Sequence, residues 1–192
     1  MAFGSGRPVS PSGADRTDAT ADPVEVARQI CLNQLENAPR TRAELAVKLR
    51  SKGVEDAVAE QVLGRFAEVG MIDDTLFAQR WVSGRHRSKG LARRALTQEL
   101  RRKGVDDEVV AVAVEALDPE VELATARALV DRRLRTTIGL PTEARVRRLA
   151  GMLARKGYPA GLAFQVVKQA LAAEGAQTQD ALDDLVALDD EQ

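Results

Sequence analysis

The sequence predicts an all-α chain of three tandem three-helix units stacked into an elongated array. Three observations lead there. One pattern occurs three times: Leu45-Ala-Val-Lys-Leu49-Arg-Ser-Lys52-Gly53, Leu96-Thr-Gln-Glu-Leu100-Arg-Arg-Lys103-Gly104 and Leu149-Ala-Gly-Met-Leu153-Ala-Arg-Lys156-Gly157. In each, two leucines four apart form an apolar helical stripe, and a glycine four residues later stops the helix. The glycines lie 51 and then 53 positions apart, and a fixed period near 50 marks one structural unit copied in tandem. Second, apolar residues make up 44% of the chain but aromatics only 3%, so Ala, Leu and Val carry the burial, which suits helix–helix packing. Third, no segment reads as a strand.

Residues 1–21 are rich in Gly, Pro, Ser, Thr and Asp and have little to bury, so disorder is expected there. Asp22-Pro23-Val24-Glu25 opens a helix: Asp caps free N–H groups, Pro suits the first turn, and Glu favours the positive end of the dipole. It should run to about Glu36 and bury Val26, Ile30 and Leu35. Thr41-Arg-Ala-Glu44 is a capping box that starts the second helix, which Gly53 ends. Val58, Val62, Leu63, Phe66 and Val69 form a stripe of helical period, closed by Gly70.

Asp73 opens the second unit 51 residues after Asp22, and Ile72 with Phe77 could staple its first turn. This helix should carry Phe77, Trp81 and Val82 inward and end near Gly90. A second helix is expected from about Leu91 to Lys103, and a third from about Asp107 to Leu117. Asp118-Pro119 opens the third unit. Cap and Lys-Gly glycine are 31 residues apart in the first two units but 39 in the third. The extra eight should fall in its first helix and the following loop, around Arg132 to Leu140. The last helix holds Leu162, Phe164, Val166, Val167 and Leu171. The domain reading is therefore 1–21, 22–71, 72–117, 118–173 and an acidic tail, 174–192, in which residues 181–188 form either a short helix or none. Each unit alone can bury only a small core, so stacking must supply the rest.

Net charge is −1, yet the charges are segregated. Between Arg80 and Lys103 lie Arg80, Arg85, Arg87, Lys89, Arg93, Arg94, Arg101, Arg102 and Lys103 against the single acid Glu99. Between Asp131 and Lys156 lie Arg132, Arg133, Arg135, Arg145, Arg147, Arg148, Arg155 and Lys156 against Asp131 and Glu143. From Glu174 onward there are seven acids and no basic residue. A cationic stripe suits a polyanion, with salt-dependent binding through counterion release. Those seventeen residues are the candidate contacts to nucleic acid or to a filament. Arg94 and Arg101, and again Arg148 and Arg155, lie seven apart on one helix line, away from the leucine stripe. Lys52, Lys103 and Lys156 are accounted for by the helix dipole, which favours a last-turn cation by about 0.3–1 kcal/mol.

No catalytic constellation is present. His86, the only histidine, reads as an exposed helix-end residue rather than a proton shuttle. With one histidine and one cysteine, a His/Cys metal site is excluded by count. There is no phosphate-binding Gly-rich loop and no nucleophile elbow. Asp73-Asp74 reads as helix capping rather than a metal pair, Cys31 as a buried small residue, and Trp81 as a packing residue. No cofactor and no small-molecule substrate is implied. A single cysteine fits a reducing compartment, no apolar run approaches membrane-span length, and no signal peptide is evident. A cytoplasmic protein is expected.

The chain resembles the RecX regulators of bacterial recombination. The resemblance rests on the tandem Leu-x-x-x-Leu-x-x-Lys-Gly units and on Gly70-Met-Ile-Asp73-Asp74-Thr-Leu-Phe77-Ala78-Gln-Arg-Trp81-Val82, followed by Arg85, Lys89-Gly90 and Glu99-Leu100-Arg-Arg-Lys103-Gly104. It covers about residues 24–172. It implies a curved, elongated body and a cytoplasmic, non-catalytic modulator, mainly an inhibitor, of the recombinase RecA. Such a modulator binds the RecA–DNA filament along its groove and restrains filament growth, strand exchange and ATP hydrolysis. Single- and double-stranded DNA would be met through the basic stripe. Two other classes stay open on the residues alone: an independent helical DNA-binding protein and a pure protein adaptor.

Overall fold

The computed structural model describes residues 22–189, with side chains through residue 175. The expectation of disorder for 1–21 lies outside that range. Nine α-helices and one 3-10 turn are found among the described residues, and no strand. Unit 1 comprises α1 (Pro23–Asn37), α2 (Arg42–Ser51) and α3 (Asp56–Glu68). Unit 2 comprises α4 (Asp74–Lys89), α5 (Arg93–Arg102) and α6 (Asp107–Glu115). Unit 3 comprises α7 (Pro119–Leu134), the 3-10 turn Arg135–Thr137, α8 (Thr142–Arg155) and α9 (Ala160–Asp189).

The capping residues act as their types dictate. Asp22, Asp73, Asp106 and Asp118 each accept from a first-turn backbone N–H, and Thr41 with Glu44 forms the reciprocal box. Each Lys-Gly stop closes in the same way. The N–H after the glycine donates back to the second leucine of the motif: Val54 to Leu49, Val105 to Leu100 and Tyr158 to Leu153. Gly53, Gly104 and Gly157 take φ of 78°, 73° and 90°, the left-handed conformation such a closure requires.

Every unit has its own core. Leu45 and Leu49 meet Cys31, Leu63 and Phe66 in unit 1. Leu96 and Leu100 meet Phe77, Val82 and Val110 in unit 2. Leu149 and Leu153 meet Val130, Val166 and Val167 in unit 3. All six motif leucines are at most 1% exposed.

Several expectations are corrected by packing. Val26 is exposed, and the buried stripe of α1 runs through Ala27 and Cys31. Val69, the residue that caps the C-terminus of α3, and Phe164 in α9 also face outward. Ile72 does not staple Phe77: its N–H donates to the carbonyl of Phe66, and its side chain joins the core of unit 1. The extra residues of unit 3 are not in its first helix, since α4 and α7 both have 16 residues. They lie in the connection after α7 and in α8, which has 14 residues against 10 in α5. The last helix runs unbroken to Asp189 instead of giving way to a separate short helix.

Candidate nucleic-acid interface at the joints between units

The units meet through one joint, built twice. At the first joint the C-terminus of α5 abuts the N-terminus of α2, and at the second the C-terminus of α8 abuts the N-terminus of α5. The Thr41 hydroxyl donates to the Lys103 carbonyl at 2.7 Å, and the Ala92 N–H donates to the Lys156 carbonyl at 2.8 Å. The first backbone N–H of each receiving helix is held by an acid from the next unit's first helix: Arg42 N by Asp74 at 2.9 Å and Arg93 N by Glu122 at 2.9 Å. The orphan N–H groups of a helix start are thus satisfied from outside the unit. Asp74 is a joint residue rather than a cap of its own helix, and burial raises its pKa. The approach at the joint is so close that a Cβ on Gly104 would stand 2.4 Å from Ala43 Cβ, and one on Gly157 2.5 Å from the Ala95 nitrogen.

His86 also belongs to the second joint. It is buried, not exposed, with Nδ1 2.8 Å from the Leu91 carbonyl and Nε2 2.9 Å from the Thr125 hydroxyl. Beside it the Tyr158 hydroxyl donates to the Gly90 carbonyl at 3.2 Å. Burial pushes that phenol up to about 12, so it stays a donor at neutral pH.

Seven of the seventeen candidate cations have head groups engaged within the protein: Arg101 with Asp107 and Arg132 with the Ala128 carbonyl at exposed positions, and five others at half-buried ones. Arg85 grips Glu99 with both prongs of its guanidinium and lies over the Trp81 ring. Arg93 spans Glu122 and the carbonyls of Val114 and Leu117. Lys103 reaches Glu44 at 2.7 Å while lying 4.5 Å above Trp81. Arg145 joins Thr137 and Glu174, and Lys156 Nζ donates to the Lys89 carbonyl. The lysines before Gly104 and Gly157 therefore cross to a neighbouring unit as well as sitting at a helix end. Trp81 stacks on Phe77 at 5.5 Å and donates to Glu99.

The Arg85 hydrogen bond and charge hold Glu99 below the ordinary glutamate value of 4.5, and the Trp81 N–H adds to this against the cost of burial. Glu44 is also held low: burial acts against this, but the Lys103 hydrogen bond and charge prevail. Both groups lend stability that is present above the unfolded-state pKa and is lost as pH falls through the lower folded-state value. Asp74, shifted upward, works in the opposite sense. Below about pH 4.5 the thermal midpoint should therefore fall, and Glu99→Gln should flatten that fall. A denaturation series from pH 7 to pH 3 checks this.

Of the twelve cations other than those five, eight line grooves at or beside the joints. At the second joint, a groove of about 480 Å³ is lined by Arg87, Lys89, Arg132, Arg133 and Lys156, with Thr125, Leu129 and Met152 among its walls and no carboxylate. Three helix C-termini converge there, and their carbonyls offset part of the charge. The offset is incomplete: burial, then the charges of Arg132, Lys89 and Arg133, lower the pKa of Lys156. An adjoining cleft of about 220 Å³ shares Arg133 and Met152 and adds Arg148 and Arg155, again without an acid. At the first joint, a groove of about 520 Å³ holds Arg101, Arg102 and Lys103 with Arg40 and Lys48, but Glu44 sits among them. Arg40 and Lys48 lie outside the two basic stretches read as candidates, although residues 40–52 carry Arg40, Arg42, Lys48, Arg50 and Lys52 against the single acid Glu44. That shorter run, with Lys48 inside the Leu45/Leu49 motif, is the signal in the sequence. Arg94, Arg135 and Arg147 are exposed and line none of these grooves. Arg80 instead lines an apolar cleft with Met71, Leu76 and Trp81. Arg101 pairs with Asp107 in the open, an ion pair of little energetic weight.

These features define a class: an all-helical tandem-repeat protein whose cationic grooves lie where repeats meet. Three family models match it in order: the RecX first three-helix domain over residues 27–66, the second over 73–114 and the third over 120–167. Regulatory protein RecX of Streptomyces coelicolor is 54% identical over 174 residues, covering 91% of this chain and 93% of that one. Regulatory protein RecX of Thermobifida fusca is 54% identical over 172 residues, covering 90% and 91%. The crystal structure of RecX from Lactobacillus salivarius has the same fold, with a TM-score of 0.72 at 18% identity over 77% of this chain and 96% of that one. The chain belongs to the RecX family, whose members are regulatory proteins rather than enzymes. Among the described residues, no helix is long and apolar enough to cross a membrane.

Proposed function

We propose that this protein regulates the recombinase RecA, mainly as an inhibitor, by binding the RecA–DNA filament in the cytoplasm and restraining its assembly, ATP hydrolysis and strand exchange. The observation that carries this reading is the carboxylate-free groove at the second joint in a member of the RecX family. Guanidinium groups bind phosphate oxygens two at a time, and a groove running into a second cleft can follow successive phosphates of a strand. The apolar cleft around Met71, Leu76 and Trp81 offers a different chemistry, suited to a recombinase subunit. Single- and double-stranded DNA are both within reach of a backbone-directed site.

The test is ATP hydrolysis by the cognate recombinase on single-stranded DNA, with this protein added well below one copy per recombinase subunit. Inhibition at that ratio supports action on a filament. Unchanged hydrolysis at every ratio contradicts it. A strong preference for one duplex sequence in mobility shifts would instead favour an independent DNA-binding protein.

A further inference from the structure

The segment between α7 and α8 is a built feature that the joint does not use. Ile138 is 67% exposed, more than any other large hydrophobic side chain among the described residues, and Leu140 two positions on is 39% exposed. Yet the backbone beneath them is anchored. Thr137 is 1% exposed; its hydroxyl donates to the Leu134 carbonyl at 2.6 Å and accepts from Arg145 Nε at 3.0 Å. Arg145 is itself tied to Glu174 at 2.6 Å. The Ile138 and Leu140 N–H groups return to Arg135 and Thr137, and Gly139, at φ 86°, turns the chain between the two apolar residues. One residue is buried so that the next stands out.

The surroundings of that tip are cationic. Thr136 and Thr137, the residues just before it, line the cleft with Arg133, Arg148 and Arg155. The nearest acids are Asp131 in α7, Glu143 in the first turn of α8 and Glu174, which Arg145 holds, and none of them lines the cleft. Ile138 stands in water at the edge of an arginine-lined cleft with most of its apolar surface uncovered. The faces of nucleic-acid bases can cover it: a strand held by its phosphates presents its bases a few ångströms away, and aliphatic side chains are a known means of parting a base step.

We propose that Ile138 is a wedge that enters between two adjacent bases of a single strand whose phosphates lie in the Arg133/Arg148/Arg155 cleft. A single strand is favoured over a duplex because only stacking, not pairing, must be given up. This rests on the reading of the cleft as a phosphate site. Its consequence is a strand locally unstacked beside the third unit.

The probe is a single-stranded oligonucleotide carrying 2-aminopurine, whose fluorescence rises on unstacking, titrated with the full chain and with Ile138→Ser and Ile138→Ala. The wild type should raise the emission on binding. Ile138→Ser should abolish most of that rise and bind about tenfold more weakly, as expected when roughly one aliphatic side chain is no longer buried. Its salt dependence should be unchanged, since no cation is removed, and an exposed position should leave the thermal midpoint in place. An equal rise with Ile138→Ser, or wild-type binding with no rise, overturns the wedge and leaves the phosphate site standing. Failure of the wild type to bind the oligonucleotide overturns both. Unchanged DNA signals with weakened affinity for recombinase would overturn the wedge and assign Ile138 to a protein interface.

Discussion

Replacing Gly157 with alanine should lower stability by about 3 kcal/mol, and the same change at Gly53 by only about 1. Both glycines are left-handed, and an L side chain there costs roughly 1–2 kcal/mol. They differ in what the new methyl meets. At Gly53 nothing lies within 4 Å. At Gly157 the Cβ would fall 2.5 Å from the Ala95 nitrogen and 2.7 Å from its Cβ. Neither is the end of a flexible side chain, so the joint itself must open. Overpacking of this kind adds about 1–3 kcal/mol. Opening also weakens the Ala92–Lys156 hydrogen bond and uncovers Tyr158 and His86. At about 2–4 °C per kcal/mol for a chain of this size, the thermal midpoint should drop by about 10 °C for Gly157→Ala and about 3 °C for Gly53→Ala. Calorimetry on the two variants decides this. Equal drops would mean that the Lys-Gly motif is only a helix stop.

Removing Arg132, Arg133, Arg148 and Arg155 together should reduce affinity for a single-stranded oligonucleotide about a hundredfold at low salt. The logarithmic salt slope should become shallower by roughly 2–3, at about 0.7 for each phosphate left without its cation. These four have exposed side chains, and their removal costs each site no more than about 0.5 kcal/mol of stability. Arg93, though part of the same basic run, stays in place in this variant. Its alanine replacement would leave Glu122, only 6% exposed, without its ion-pair partner, and would confuse folding with binding. Arg101 and Arg102 at the first joint serve as the comparison pair. Their removal should matter less, since Glu44 shares that groove. Fluorescence anisotropy across a salt titration measures both quantities.

The contrast between Arg93 and Arg132 shows what was legible in the sequence. Periodicity revealed the helices, because Leu96 and Leu100 must share a face whatever surrounds them. Capping residues gave the starts, because their hydrogen bonds are local. The role of a cation could not be read the same way. Arg93 and Arg94 are neighbours in one run, yet one is clamped by Glu122 from a helix 29 residues on and the other is exposed. That distinction depends on the joint, and the joint is a meeting of units that no local pattern encodes. The burial of His86 is hidden in the sequence for the same reason: Arg85-His86-Arg87 looks like a wet helix end until α7 is laid against it. Asp74 is the converse case. It looks like a second cap residue, but it satisfies a helix start in the preceding unit. The repeat does hold a clue to this. Asp74 and Glu122 stand in the first turns of their units' first helices, where a tandem joint has a helix start to satisfy.

The most direct measurement is the salt dependence of binding to an assembled recombinase–single-stranded DNA filament, for the wild type and for the variant lacking Arg132, Arg133, Arg148 and Arg155. If the second joint faces the strand's phosphates, the wild type should show a steep slope and the variant a shallower one, with weaker inhibition of ATP hydrolysis to match. Identical slopes and identical inhibition, in a variant with the wild-type thermal midpoint, would contradict a phosphate-binding role for that groove.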